Sequence, residues 1–125
     1  MKHLYLVRHG NQNTNLFNED ADLSGKGRRQ AELLHDRIRG WHFDKIYSSV
    51  LKRAVQTSDI LNSSWHMDIE RRAELNEMDW GRFTLCDIEK TNEEFRDFFD
   101  MMGRGDEDIP YPDGENGEMA FLRAY

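Results

Sequence analysis

The sequence predicts an α/β fold built on a mostly parallel sheet, and two observations predict it. First, Leu4-Tyr5-Leu6-Val7 is a short continuous apolar run that breaks off at Arg8-His9-Gly10. Runs of this length read as buried strands of a parallel sheet, and in open sheets of that kind ligands bind beyond the carboxyl ends of the strands. Second, the segments that follow alternate between helix-like and strand-like patterns. Right-handed crossovers between parallel strands produce that order.

Taken in order, Arg8 and His9 stand at the exit of the first strand, with Gly10 allowing a sharp turn. Arginine carries a planar fork of donors matched to phosphate, and histidine attacks or moves protons near neutral pH. The pair therefore points to phosphoryl chemistry, the plain alternative being a chance triplet of loop residues. Residues 11–22 are rich in Asn and Asp and read as a loop. Ser24 then caps a helix on which Ala31, Leu34, Ile38 and Trp41 share a face, and Gly40 suits its stop. Asp44-Lys45-Ile46-Tyr47 forms a second strand ending at Ser48-Ser49. Ser49 caps a second helix that buries Leu51, Ala54, Val55 and Leu61. A third strand over Met67–Ile69 leads to Glu74-Leu75-Asn76-Glu77 and a turn at Gly81. Thr91-Asn92-Glu93-Glu94 fits a capping box, opening a helix whose Phe95, Phe98, Phe99 and Met102 face a core. Residues 103–117, with Pro110 and Pro112, have the composition of a mobile loop. Asn116 caps a last helix carrying Met119 and Leu122.

The 125 residues predict one domain, 1–125, large enough for a single core. Hydrophobic residues make up 38% and charged residues 33%, a soluble globular composition. The net charge of -7, from 17 basic and 24 acidic side chains, argues against nucleic acid or an anionic membrane as partner. The single cysteine, Cys86, has no intrachain partner and reads as a small apolar side chain in a reducing compartment, hence a cytoplasmic location. Only four apolar residues follow Met1-Lys2-His3, too few for a signal-peptide core or a membrane span. No His, Cys or carboxylate cluster has metal-ligand spacing, so neither metal nor other cofactor is expected.

Five segments, in order, resemble the histidine phosphatase superfamily, which includes the cofactor-dependent phosphoglycerate mutases. They are Leu6-Val7-Arg8-His9-Gly10 (the RHG motif), Leu23–Ala31, Ser48–Thr57, Leu75–Gly81 and Pro112–Glu115. The resemblance implies a three-layer sheet with helices on both faces, and a reaction through a phosphohistidine. By it, His9 is the nucleophile, Arg8 and Arg53 hold the phosphoryl oxygens, and Asn15 adds a donor. Glu77 protonates the leaving oxygen and then activates water, with Glu74 and Asp79 as the neighbouring alternatives. Substrate-binding positions fall at Arg8, Asn15, Ser24, Gly25, Arg53 and Glu77. For Asn15 and Ser24, turn or cap chemistry is an equal alternative, and Arg53 has the alternative of a surface charge. Phosphoryl transfer of this kind needs positioning and charge neutralisation, which an arginine cluster supplies. It also needs a neutral imidazole whose other nitrogen is held by a backbone carbonyl, and an acid for a poor leaving group. The expected substrate is a small phosphorylated metabolite.

Four departures from the family pattern stand out. Gln12 replaces a hydroxyl residue, Thr84 stands where glycine is common, and the Asn15–Leu23 connection is short, which favours a phosphatase over a mutase. No histidine follows Glu77, whereas the family has a second pocket histidine before a glycine; His3, His35, His42 and His66 read as structural or exposed. The resemblance therefore implies a truncated version of the fold, either a fragment or a shortened protein. Turnover about 10²–10³ lower than a complete pocket gives is the corresponding expectation. A strand edge left open beside Leu4–Val7 further predicts self-association, as a homodimer or by strand exchange. A phosphatase, a mutase-type isomerase and a catalytically silent phosphoester-binding remnant are the three functions this pattern allows.

Overall fold

The computed structural model describes residues 1–105 and 107–125. They fall into two units: Met1–Asn13 with Asp20–Ala73, and Thr14–Glu19 with Glu74–Tyr125.

The first unit contains α1 (Gly25–Ile38), β1 (Ile46–Ser48), α2 (Lys52–Leu61) and β2 (Ile69–Arg71). The strands pair in parallel, Ile46 opposite Ile69 and Ser48 opposite Arg71, the α/β arrangement the sequence predicts. Ser24 caps α1 as expected: its Oγ accepts the Gly27 N–H at 3.0 Å. Gly27, Ala31 and Ile38 form the buried stripe of α1. Trp41 lies beyond the helix end, half exposed, with its ring 5.3 Å from that of Tyr5.

Four expectations for this unit are corrected. Leu4–Val7 enters no ladder among the described residues. Its exposure alternates, 84% at Leu4, 53% at Tyr5, 88% at Leu6 and 48% at Val7, so one face leans on the unit and the other is open. A strand is fixed only by a neighbour in its ladder, and β1 pairs with β2 alone. Ser49 does not cap α2. The N-cap position is Leu51, without a side-chain bond, and the Asp20 carboxylate accepts the Lys52 N–H from outside at 2.7 Å. The buried face of α2 is Arg53, Thr57 and Leu61, with Leu51, Ala54 and Val55 only half-buried. The polar pair goes inward because its groups find hydrogen-bond partners there. Finally, β2 begins at Ile69 rather than Met67. The Asn62 side chain bonds the Met67 N–H and C=O at 3.0 and 2.7 Å, which keeps Met67 in the turn after α2.

The second unit contains α3 (Glu93–Arg104), α4 (Gly117–Ala124) and two short 3-10 turns, Ala73–Leu75, whose first residue closes the first unit, and Gly81–Phe83. Phe83, Phe95 and Tyr111 form its core, with Phe17, Trp80, Phe98, Phe99 and Met102 packed around them. The aromatic stripe of α3 is thus core packing, as its spacing predicts. The expected loop over 11–22 is partly bridged: in this unit Leu16 pairs with Asp87, and the Phe17 N–H donates to Cys86 O at 2.9 Å. Cys86 is free and half-buried beside this core. Asn116 caps α4 as expected.

Two expectations are corrected here as well. Asn92, not Thr91, caps α3, accepting the Phe95 N–H at 2.8 Å; a side-chain amide one residue later satisfies the same turn. The predicted loop over 103–117 starts later, because Gly103 is helical and α3 stops at Gly105, which takes φ 71°. Asp106, also in that predicted loop, lies outside the described residues.

Among the described residues, two side-chain oxygens are buried without a hydrogen-bond partner: Gln12 Oε1 and Thr84 Oγ1. Both sit at departures from the family pattern. Thr84 has extended backbone, φ -61° and ψ 132°, which valine adopts readily. Thr84→Val removes the orphaned hydroxyl at nearly constant volume and is expected to stabilise by roughly 1–2 kcal/mol, read as a thermal midpoint about 3–8 °C higher.

Candidate active site

In the first unit the site is built on the turn after Val7. His9 is half-buried, and its Nδ1 lies 2.7 Å from Gly10 O. A carbonyl only accepts, so Nδ1 carries a proton, and in the neutral ring the lone pair lies on Nε2. This is the tautomer a nucleophilic imidazole needs. Gly10 is buried, and its N–H donates to Thr57 Oγ1 at 3.1 Å. Thr57 Oγ1 in turn donates to Arg53 O at 2.7 Å. One hydroxyl therefore ties the histidine turn to the turn of α2 that carries Arg53.

The sequence predicts a sharp turn at Gly10, but this residue is not among the glycines with positive φ. Its role is close approach: a Cβ there would lie 2.5 Å from Gly27 O, and one on Gly27 would lie 2.0 Å from Asn11 O. The histidine turn and the first turn of α1 touch backbone to backbone. Asn11 completes the junction, its carbonyl accepting the Ser24 N–H at 2.9 Å and its Oδ1 accepting the Ser24 Oγ–H at 2.6 Å.

Arg53 is 3% exposed, so it is no surface charge. Arg8 is exposed, as is Gly25 at the start of α1. Ser24 performs the cap chemistry that was one of its two readings. The turn at residues 8–11 thus links directly to α1 at Ser24 and, through Thr57, to α2 at Arg53. Thr57 and Gly27 were not singled out from the sequence, although both lie inside the quoted motifs. Their roles depend on partners 47 residues away for Thr57 and across a backbone contact for Gly27.

In the second unit, Glu77 is exposed, and its Oε1 accepts the Met78 N–H at 3.2 Å. Asn15 is exposed and its carbonyl accepts the Ile88 N–H at 2.9 Å. The backbone around Glu77 is held from α4. Arg123 pairs with both carboxylate oxygens of Glu115 at 2.9 Å. The same guanidinium donates to the carbonyls of Glu74, Asn76 and Glu77. Glu115 Oε2 also accepts the Asp79 N–H at 2.9 Å. Neither Glu115 nor Arg123 was assigned a role from the sequence, since no local pattern marks a pair eight residues apart across a helix start.

Hydrogen bonds from Arg123 and from the Asp79 N–H hold the Glu115 carboxyl below the ordinary glutamate value, and Glu115 raises Arg123 in return. Burial, then the nearby Glu77 charge, pushes the Tyr111 hydroxyl up. A depressed native value means that Glu115 contributes stability above its unfolded value, near pH 4.3, which is lost as pH falls through the lowered native value. Glu115→Gln is expected to lower the thermal midpoint at pH 7 and to flatten its decline between about pH 5 and pH 3, measured by thermal melts across that range.

Among the described residues no group of three or more His, Cys, Asp or Glu converges as metal ligands do, and no helix is long and apolar enough to cross a membrane. Fold and site together define an α/β protein whose histidine-bearing turn is locked onto an arginine-bearing helix. The chain belongs to the histidine phosphatase superfamily, branch 1, whose family model matches residues 4–125. It is 32% identical over 121 residues to a 2,3-bisphosphoglycerate-dependent phosphoglycerate mutase of Porphyromonas gingivalis, covering 88% of this chain and 48% of that protein. In fold it is similar to the alpha-ribazole phosphatase of Shigella flexneri, with TM-score 0.74, 26% identity and coverage of 94% of this chain and 60% of that one. It is similar also to a mycobacterial glucosyl-3-phosphoglycerate phosphatase, with TM-score 0.75, 21% identity and coverage of 93% and 57%. The chain spans about half the length of the curated relatives it matches.

Proposed function

We propose that this chain transfers a phosphoryl group through a phosphohistidine on His9, with hydrolysis of a small phosphomonoester as the outcome. The observation that carries the proposal is the Nδ1–Gly10 hydrogen bond, which in the neutral ring leaves Nε2 as the nucleophilic nitrogen. In the first step the Nε2 lone pair bonds to phosphorus and the ester P–O bond breaks. The bonding electrons leave with the ester oxygen, which takes a proton from the Glu77 carboxylic acid. In the second step the Glu77 carboxylate takes a proton from water, the water oxygen bonds to phosphorus, and the P–N electrons return to Nε2. Arg8 and Arg53 neutralise the phosphoryl oxygens and Asn15 adds a donor. Ser24 and Gly25, at the N-terminal end of α1, supply the substrate contacts that such a helix end favours.

The phosphatase outcome is supported by the name of the structural neighbour at 26% identity, an alpha-ribazole phosphatase. The names of the curated relatives favour a second reading, phosphoglycerate mutase-type isomerisation, in which the acceptor is a second hydroxyl rather than water. A radiolabelled phosphomonoester separates the outcomes. Label recovered, after alkaline quench, on the peptide containing His9 together with release of orthophosphate supports hydrolysis. Label passed to a second hydroxyl supports isomerisation. Tight binding of vanadate with no label on His9 overturns both and leaves a silent phosphoester-binding remnant.

A further inference from the structure

We infer that Arg123 is a positioning residue: with Glu115 it clamps the backbone of Glu74–Asp79 into the fixed edge that carries Glu77. The inference rests on the reading of Glu77 as the proton donor.

That segment has no ladder, and its only regular piece is the end of the Ala73–Leu75 turn. Its carbonyls are nonetheless bonded almost throughout. Arg123 takes those of Glu74, Asn76 and Glu77, the Asn18 Nδ2 takes Met78 O at 3.0 Å, and the Glu115 N–H takes Asp79 O at 2.9 Å. A guanidinium thus does for this edge what a neighbouring strand does elsewhere. Arg123 fits the task because its donors are spread in a rigid plane. Nε and Nη2 grip the Glu115 carboxylate while Nη1 and Nη2 reach the carbonyls. A lysine offers its donors from a single nitrogen and matches no such spread.

Helix α4 points the same way. It buries no residue, and Met119, Phe121 and Leu122 are all exposed. Among the described residues, the bonds it makes into the unit run through Arg123 and through its capped N-terminus, where Asp108 accepts the Gly117 and Glu118 N–H groups at 2.7 Å. Such a helix adds little to the core; what it delivers is a guanidinium at the Glu77 segment. Proton donation depends on placement, since a displacement of about 1 Å can cost on the order of 10²-fold in rate.

The test compares two substrates. An alkyl phosphomonoester loses a poor leaving group that needs the proton, whereas p-nitrophenyl phosphate loses a phenolate that leaves without it. In Arg123→Lys, kcat/KM, which reports the steps up to departure of the leaving group and not the hydrolysis common to both substrates, is expected to fall roughly 10²-fold for the alkyl ester while that for p-nitrophenyl phosphate changes less than about threefold. Equal losses on both substrates, or none, overturn the inference, since a merely structural ion pair does not distinguish leaving groups. Glu77→Gln is the reference. A selective loss there without one in Arg123→Lys overturns the clamp alone, and no selective loss in Glu77→Gln overturns the reading of Glu77 and the clamp with it. Where Arg123→Lys does not fold, Glu115→Gln is expected to show the same selectivity, and its absence there overturns the clamp. Without any substrate, amide exchange at Met78 and Asp79 is expected to quicken about tenfold in the folded variant. Unchanged exchange overturns the clamp as well.

Discussion

His9→Ala is expected to lower phosphomonoester turnover by on the order of 10⁴-fold or more and to abolish label trapping on the protein. In the proposed reaction the covalent step falls to His9: the Nδ1–Gly10 bond places the lone pair of the neutral ring on Nε2, and no other histidine stands in the motif. The fold survives the change. The bond that ties this turn down runs from the Gly10 N–H to Thr57, and the alanine variant keeps it. The thermal midpoint is therefore expected to shift by no more than a few degrees, about 1 kcal/mol or less. A steady-state assay with a generic phosphomonoester, beside a melt, checks both halves. Turnover within tenfold of the unchanged protein removes His9 as the nucleophile.

Gly27→Ala is expected to destabilise the protein by about 3 kcal/mol or more, enough to unfold a marginal domain, although the change occurs in a helix where alanine is intrinsically favoured. The added Cβ would lie 2.0 Å from Asn11 O and 2.7 Å from Asn11 N, and backbone atoms cannot rotate away as a side chain can. The same exchange in α3 has the opposite sign. Gly103→Ala meets nothing within 4 Å and is expected to stabilise by roughly 0.5–1 kcal/mol, the helix-propensity difference. Chemical denaturation of the two variants side by side reads the contrast. Equal effects would show that the histidine turn does not rest on α1.

Much of the fold was legible because it is local. Ser24 and Asn116 announce helix starts through their own side chains, and the Phe95–Met102 stripe announces a core through its spacing. Three of the corrections, the α2 cap, the α2 face and the Leu4–Val7 run, share a reason, which is that the partners are distant. Asp20 caps α2 from 32 positions upstream, where Ser49 was the nearest hydroxyl. The α2 face that carries Arg53 and Thr57 is polar in composition, and it is buried because Gly10 and the backbone of α2 itself supply hydrogen bonds. The Leu4–Val7 run has the apolar character of a sheet strand, but pairing is a property of two segments, and among the described residues no second one lies beside it.

The candidate site divides in the same way. The sequence alone determined the family and the identity of the chemical groups: a histidine after an apolar run, arginines in two motifs and a carboxylate in a third. Order along the chain carries that information because each motif is short and self-contained. Only the tertiary structure decided which imidazole nitrogen is free, that Gly10 and Gly27 are required for contact rather than for turning, and that Arg123 holds the edge bearing Glu77. These depend on hydrogen bonds and backbone contacts between residues far apart in sequence, and such distances exist only once the chain has folded.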